Sequence, residues 1–257
     1  SKQTEHKIPC HSQILERCLQ AYWTILNRQT TLKKSLLIFG LLALVILCGL
    51  YAKRKFYDPK HRLDNAKNET KKLVSEGEIR NGDLIFQTSL SGQSKAIQVA
   101  THSKYSHCGL IYKDGNDIFV FEAVQPVKRT PLDKWIARGE NGKYVIKRLK
   151  NAEQVLTPTT LQKMKQVGEE FKGRNYDLTF EWSDDKIYCS ELIWKVYQRA
   201  TGLEIGKLQK LSDFDLSNEV VKKKMTERYG DKIPMNEIVI SPSSIFDSEL
   251  LTTVKAN

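Results

Sequence analysis

The chain has 257 residues, 40% of them hydrophobic and 28% charged, with 14 Gly and 7 Pro in no period; this excludes a disulfide-stapled mini-protein, a collagen-like or low-complexity chain and wholesale disorder. Five Cys is an odd count at low density, so no disulfide framework is expected. The net charge of +11 sits mostly at the front: residues 1–70 hold 12 Lys/Arg against 5 Asp/Glu (+7), and the rest hold 29 against 25 (+4).

In chain order, residues 12–28 place Ile14, Leu15, Cys18, Leu19, Tyr22, Trp23 and Leu26 at helical spacing behind Ser12 as N-cap. Such an amphipathic helix suits a membrane surface and a partner protein equally. Residues 35–51 (SLLIFGLLALVILCGLY) carry no charge and lie between Lys33-Lys34 and Lys53-Arg54-Lys55. Seventeen residues at 1.5 Å each give about 26 Å, which predicts a short transmembrane helix whose basic flanks meet anionic lipid. KRK after the run, in place of a small-residue cleavage site, favours an anchor over a cleaved signal peptide. Five Lys/Arg follow the span within fifteen residues and three precede it, which leans towards a cytoplasmic C-terminal part. Residues 52–72, charged and without an apolar period, read as a linker or a charged helix, and the main domain is expected over 73–257.

In that domain LIFQ (84–87) reads as a strand after the Asn81-Gly82-Asp83 turn, and residues 91–101 as a short helix. HCGLIYK (107–113) and DIFVFEAV (117–124) flank Asp114-Gly115-Asn116 and predict a hairpin. KYVIKRL (143–149) gives a third strand, 158–172 a helix opened by Pro158, and 189–201 a helix stopped by Gly202. Strands first and helices after predict an α+β fold, a small antiparallel sheet packed on helices.

Cys189 stands at the first position of the last of these helices, where free backbone N–H groups and the helix dipole favour a thiolate. A thiolate nucleophile needs a base, and of the five His only His102 and His107 lie within the domain. His107 opens a strand, whereas His102 lies in the polar loop THSKYS. Glu122 is the one acid inside an apolar strand, and the hairpin register brings it opposite residue 107 to within a step or two. Taken singly, each has a bland alternative: a small core residue, a satisfied core histidine, an edge-strand charge. Taken together they predict a Cys189–His107–Glu122 triad. Tyr188 and Tyr176 are weaker candidates for meeting an oxyanion beside the Cys189 N–H.

The runs NGDLIF, ATHSKYSHCGLIY, FVFEAVQPVKRTPLDKWIARG and YDLTFEWSDDKIYCSELIWKVY resemble the permuted papain-like amidases of the YaeF/YiiX type, circularly permuted relatives of the NlpC-type cell-wall cysteine peptidases. The resemblance covers residues 78–205 and extends towards 238–251, but not residues 1–70. It implies a circularly permuted papain-like domain, with the family's catalytic Cys, His and third polar group on Cys189, His107 and Glu122. Cys108, where such sequences often carry Val, then reads as a buried structural residue. The implied activity is a membrane-anchored cysteine hydrolase that cleaves a peptide, peptidoglycan-type or lipid-linked amide through an acyl-enzyme, without a cofactor. The alternatives are a lipid acyltransferase or lipid hydrolase on the same residues, favoured by an apolar groove beside Cys189, and a non-enzymatic membrane-tethered binding module. His102, His107 and Cys108 match no zinc spacing, so no metal is expected, and no nucleic-acid-binding module is present. The expected place is a bacterial inner membrane, with a lean towards an exported domain because members of the family are often exported.

Overall fold

A computed structural model of the chain describes residues 57–115 and 117–257, together with 16, 19–24, 39, 42–51 and 53. It divides into two compact units, Ser1–Pro59 and Lys60–Asn257.

In the first unit, residues 19–24 are helical with Tyr22 and Trp23 exposed; the rest of the predicted 12–28 helix, Glu16 apart, lies outside the described residues. The predicted membrane span requires correction. No helix among the described residues is long and apolar enough to cross a membrane. The described helical run is 42–51, about 15 Å at 1.5 Å per residue, against a hydrocarbon core of about 30 Å. Residues 35–38, 40 and 41 lie outside the described residues. An uncharged run is a weaker criterion than a helix of about twenty apolar residues, and the single-pass, inner-membrane placement is withdrawn with the span.

The second unit is built on a six-stranded antiparallel sheet. Its strands are β1 (Leu84–Gln87), β2 (His107–Asp114), β3 (Asp117–Glu122), β4 (Lys128–Pro131), β5 (Val145–Leu149) and β6 (Leu251–Ala256), in the order β6-β5-β1-β2-β3-β4. The inner strands are buried on both faces, which is why they read as continuous apolar runs. Leu84, Phe86, Cys108, Leu110 and Phe121 enter one core. Their neighbours Ile85, Ile111 and Val120 enter another on the opposite face, as the period of two requires.

Helices cover both faces. On the first, α4 (Pro158–Phe171) and α5 (Cys189–Thr201) supply Met164, Phe171, Leu192, Ile193 and Val196. On the second, α1 (Asp58–Ser75) and α3 (Leu132–Arg138) supply Ala66, Leu73, Leu132, Trp135 and Ile136. A third, smaller core joins α2 (Ser94–Ala100) to α6 (Glu219–Tyr229) through Ala96, Val221 and Met225. The expectation of a sheet packed on helices holds for the second unit, with helices on both sides. Gly202 at φ +78° ends α5 in the left-handed conformation.

Two features of the fold lie outside the sequence expectations. β4 and β6 are the edges of the sheet, and their KRTP and LTTVKA sequences carry charge and hydroxyls where an inner strand carries apolar pairs. The compact unit begins at Lys60, because Ala66 and Leu73 of the charged segment insert into the second core. Truncating the fully buried Leu73 to Ala in the full chain is therefore expected to lower unfolding free energy by about 2–5 kcal/mol in a denaturant titration. A loss below about 0.5 kcal/mol would separate α1 from the cooperative unit.

Candidate active site

The site lies where the start of β2 meets the start of α5. Gln87 pairs with His107 in the β1–β2 register, and Leu110 pairs with Phe121 in β2–β3, which leaves Glu122 two positions short of a direct partner for His107. Gly109 stands between them. A Cβ there would come within 2.2 Å of the Val120 side chain and 3.6 Å of the Glu122 Cβ, so glycine lets β2 and β3 close on this point.

Across that gap the His107 Nε2 bonds Glu122 Oε2 at 2.6 Å. The second ring nitrogen, Nδ1, is left for Cys189, whose hydrogen bonding and charge raise the imidazole against burial. Glu122 is fully buried and gathers three more donors. The Thr130 hydroxyl donates to Oε1 at 2.6 Å, while the Trp135 indole N–H (2.9 Å) and the Arg138 guanidinium donate to Oε2. The Trp135 ring also stacks on His107, with centroids 5.9 Å apart.

Burial alone would raise the Glu122 carboxyl, but the bond and charge of His107, followed by Arg138, outweigh it and hold the group at about 2. Burial opposes an imidazolium at His107 too, yet hydrogen bonds and charge from Cys189 and Glu122 lift it to about 9. At Cys189 the largest influence is a hydrogen bond from the Cys108 thiol. With His107 and the Cys108 backbone it keeps the thiol well below its ordinary range, against burial. Cys108 itself is pushed well up by burial and by the neighbouring Cys189, so it stays a thiol. The directions agree along one chain: the thiol is held towards thiolate, the imidazole towards imidazolium and the carboxyl towards carboxylate, with the Arg138 guanidinium at its end.

The structure thus brings Cys189, His107 and Glu122 together. His102 lies apart, its Nε2 3.5 Å from Asp215. Tyr176 and Tyr188 both line a cavity that Cys189 also lines, and they differ in what they hold. The Tyr188 hydroxyl accepts the Ile240 N–H at 3.0 Å, a structural tie. The Tyr176 hydroxyl accepts from Gln93 Nε2 at 2.8 Å, and Arg228 in turn donates to Gln93. Accepting there leaves the Tyr176 proton free to donate, and burial with the Cys189 charge keeps the phenol protonated.

The cavity holds about 90 Å³ and opens to solvent, with walls of Ala96, Ile97, Leu211, Val221, Met225 and Val239. Lys224 and Arg228 are the charged side chains in its lining. Sequence reasoning missed Thr130, Trp135, Arg138 and Gln93. Each sits in a segment whose pattern reports only its own element, and nothing local marks its partner eight or more residues away. No group of three or more His, Cys, Asp or Glu among the described residues is placed to hold a metal ion.

The model for the permuted papain-like amidase enzymes, YaeF/YiiX, C92 family, matches residues 78–255. The uncharacterized protein YiiX of Escherichia coli (strain K12) is 51% identical over 175 residues, spanning 68% of this chain and 85% of its own length. A crystal structure described as metalloprotein yiiX from Escherichia coli O157:H7 superposes with a TM-score of 0.67 at 51% identity, over 70% of this chain and 98% of that one.

Two predictions follow from the charges. Neutral haloacetamide should alkylate Cys189 at a nearly constant rate from pH 6 to 8, because the depressed thiol is already ionised and His107 keeps its proton until about 9. His107→Ala should slow the reaction at pH 6 at least about tenfold, since an ordinary thiol is well under about 1% ionised there. Glu122→Gln should reduce stability at pH 7 by about 3 kcal/mol. A carboxyl held at about 2 in the fold contributes stability above its usual 4.5 and loses it as pH falls towards 2. Denaturation midpoints of wild type and E122Q should therefore converge between pH 5 and pH 2.

Proposed function

The chain belongs to the permuted papain-like amidase family of the YaeF/YiiX type, and from that premise we propose a cysteine hydrolase that cleaves the amide of an acylated, lipid-linked substrate. The observation that carries this proposal is an apolar cavity opening beside a cysteine paired with His107. Membership of the family supports hydrolase chemistry of the amidase kind; the residue roles and the substrate are inferred from the geometry.

An aliphatic acyl chain lying against Val221, Met225 and Leu211 would present its carbonyl carbon to Cys189. The thiolate attacks that carbon, and the carbonyl electron pair moves to oxygen. The Cys189 N–H at the head of α5 and the Tyr176 hydroxyl, which Gln93 leaves free to donate, meet the developing charge. The His107 imidazolium gives its proton to the departing amine, and a thioester on Cys189 remains. Water, losing a proton to neutral His107, then attacks the thioester; the carboxylic acid leaves and the thiolate–imidazolium pair is restored. Glu122 bonds Nε2 throughout and so orients Nδ1 towards the sulfur.

Peptide and peptidoglycan-type amides share the chemistry, and the apolar wall favours an aliphatic acyl group over their polar backbone. The proposal is tested with the full chain on amides of one amine carrying acyl chains of two to sixteen carbons, and on unacylated peptides. The expected kcat/KM rises about threefold to fourfold per methylene until the cavity is filled, and Val221→Trp shortens the preferred chain. Cleavage of peptides with no dependence on acyl length, or activity surviving in Cys189→Ser, would overturn it. Transfer to an added alcohol or amine instead of water would place the same residues in an acyltransferase.

A further inference from the structure

Cys108 stands directly after His107 in β2, and Cys189 is the first residue of α5, which packs on that strand. Both belong to one hydrophobic core, at 0% and 3% exposure, and neither is paired in a disulfide. The Cys108 side chain enters the same core as Cys189, on the face of β2 that α5 covers; burial and the neighbouring Cys189 charge push the Cys108 thiol up, while Cys108 helps to hold the Cys189 thiol down. We infer that Cys108 and Cys189 are an oxidation couple: a hydroperoxide that enters the cavity oxidises Cys189, and Cys108 resolves it to a disulfide that closes the site reversibly. The couple rests on Cys189 being the nucleophile of the proposed function.

The two positions have the asymmetry such a couple requires. Cys189 lines the cavity, so a small oxidant meets it first. Cys108 is not in that lining and is wholly buried, sheltered from direct attack. Susceptibility follows thiolate character and access, and both select Cys189.

The chemistry balances in two steps. The Cys189 thiolate attacks the distal oxygen of the hydroperoxide and breaks the O–O bond. The His107 proton goes to the leaving alkoxide, giving Cys189 sulfenic acid and an alcohol, or water where the oxidant is hydrogen peroxide. The Cys108 sulfur then attacks the sulfenic sulfur; its proton leaves with the hydroxide as water, and the S–S bond forms. Two thiols are oxidised by two electrons in total and the peroxide is reduced by the same two. The bond, about 2.05 Å, joins two residues of one core, one on a strand and one on the helix packed against it. A dithiol reductant reverses it. Without Cys108 the sulfenic acid would have no neighbouring thiol and would proceed to sulfinic acid, which dithiols do not reduce.

The experiment treats the full-length wild type, Cys108→Ala, Cys108→Ser and Cys189→Ala with hydrogen peroxide, and separately with the thiol oxidant diamide. Thermal melts verify that each variant is folded. Intact mass, peptide mapping and haloacetamide labelling at pH 6 are read before and after dithiothreitol. In the wild type, labelling of Cys189 should fall at least about tenfold, the mass should drop by about 2 Da with a Cys108–Cys189 linked peptide, and dithiothreitol should restore labelling. In both Cys108 variants the mass should instead rise by about 32 Da, and labelling should stay lost. Wild type that gains oxygen as the Cys108 variants do, with no linked peptide from either oxidant, overturns the couple. Labelling of untreated protein at pH 6 reports the nucleophile separately: if Cys189 is slow there, the hydrolase proposal fails, while the diamide-linked peptide still decides whether the two sulfurs pair.

Discussion

A carboxylate at zero exposure is the constraint on which the rest of this unit depends. Glu122 would be destabilised by several kcal/mol if it stood unpaired in this interior. It is tolerated because donors arrive from three elements: His107 from β2, Thr130 from β4, and Trp135 with Arg138 from α3. Those bonds also fix tertiary structure. They tie the edge strand β4 and the helix α3 to the centre of the sheet, and they hold one nitrogen of the imidazole while leaving the other for the sulfur. Fold and site therefore share one interaction.

The alternation of charge from Cys189 through His107 and Glu122 to Arg138 explains how an apolar neighbourhood can hold a thiolate. Burial opposes ionisation at every buried member of the chain, as the Cys189, His107 and Glu122 environments each record. The same low dielectric that penalises an isolated charge strengthens each contact between opposite ones. Arg138, about two-fifths exposed, is the end of the chain that touches solvent. Cys108 adds a neutral donor to the sulfur where another cation would have made the site wetter. A small residue without a donor at position 108 would fill much the same space and leave the thiolate with one partner fewer.

How much of this was legible in the sequence depended on whether a residue's partner was local. Cys189 at a helix start, Gly202 at its end, and the His107–Glu122 approach across a short hairpin are all consequences of period and turn, and they could be counted off. The edge strands β4 and β6 could not, because their KRTP and LTTVKA sequences are stabilised by backbone pairing on one side rather than by an apolar pattern. For the segment Asp58–Ser75 the sequence left linker and charged helix both open, because its charges hide the two buried side chains, Ala66 and Leu73, that seat the helix. Arg138 and Thr130 reach Glu122 from 16 and 8 residues away in sequence, and Gln93 reaches Tyr176 over 83, distances at which a single sequence has no register. The uncharged run at 35–51 misled for the opposite reason, its pattern being local and strong while membrane crossing also demands length.

The division of labour between the cores suggests how such a site could change what it acts on. The charged chain is set by the large sheet and α3, whereas much of the cavity wall comes from the separate core of Ala96, Leu211, Val221 and Met225 that joins α2 to α6. Those positions lie outside the six-stranded sheet, so changing their volume alters the cavity without touching the His107–Glu122 bond. Arg228 is where the two parts meet. It lines the cavity, packs its guanidinium 4.7 Å from the Phe180 ring centroid, and donates to the Gln93 that holds Tyr176. Displacing α6 to admit a larger ligand would therefore also disturb the hydroxyl beside the sulfur. Arg228, Gln93 and Tyr176 thus connect the α6 wall of the cavity to the surroundings of Cys189.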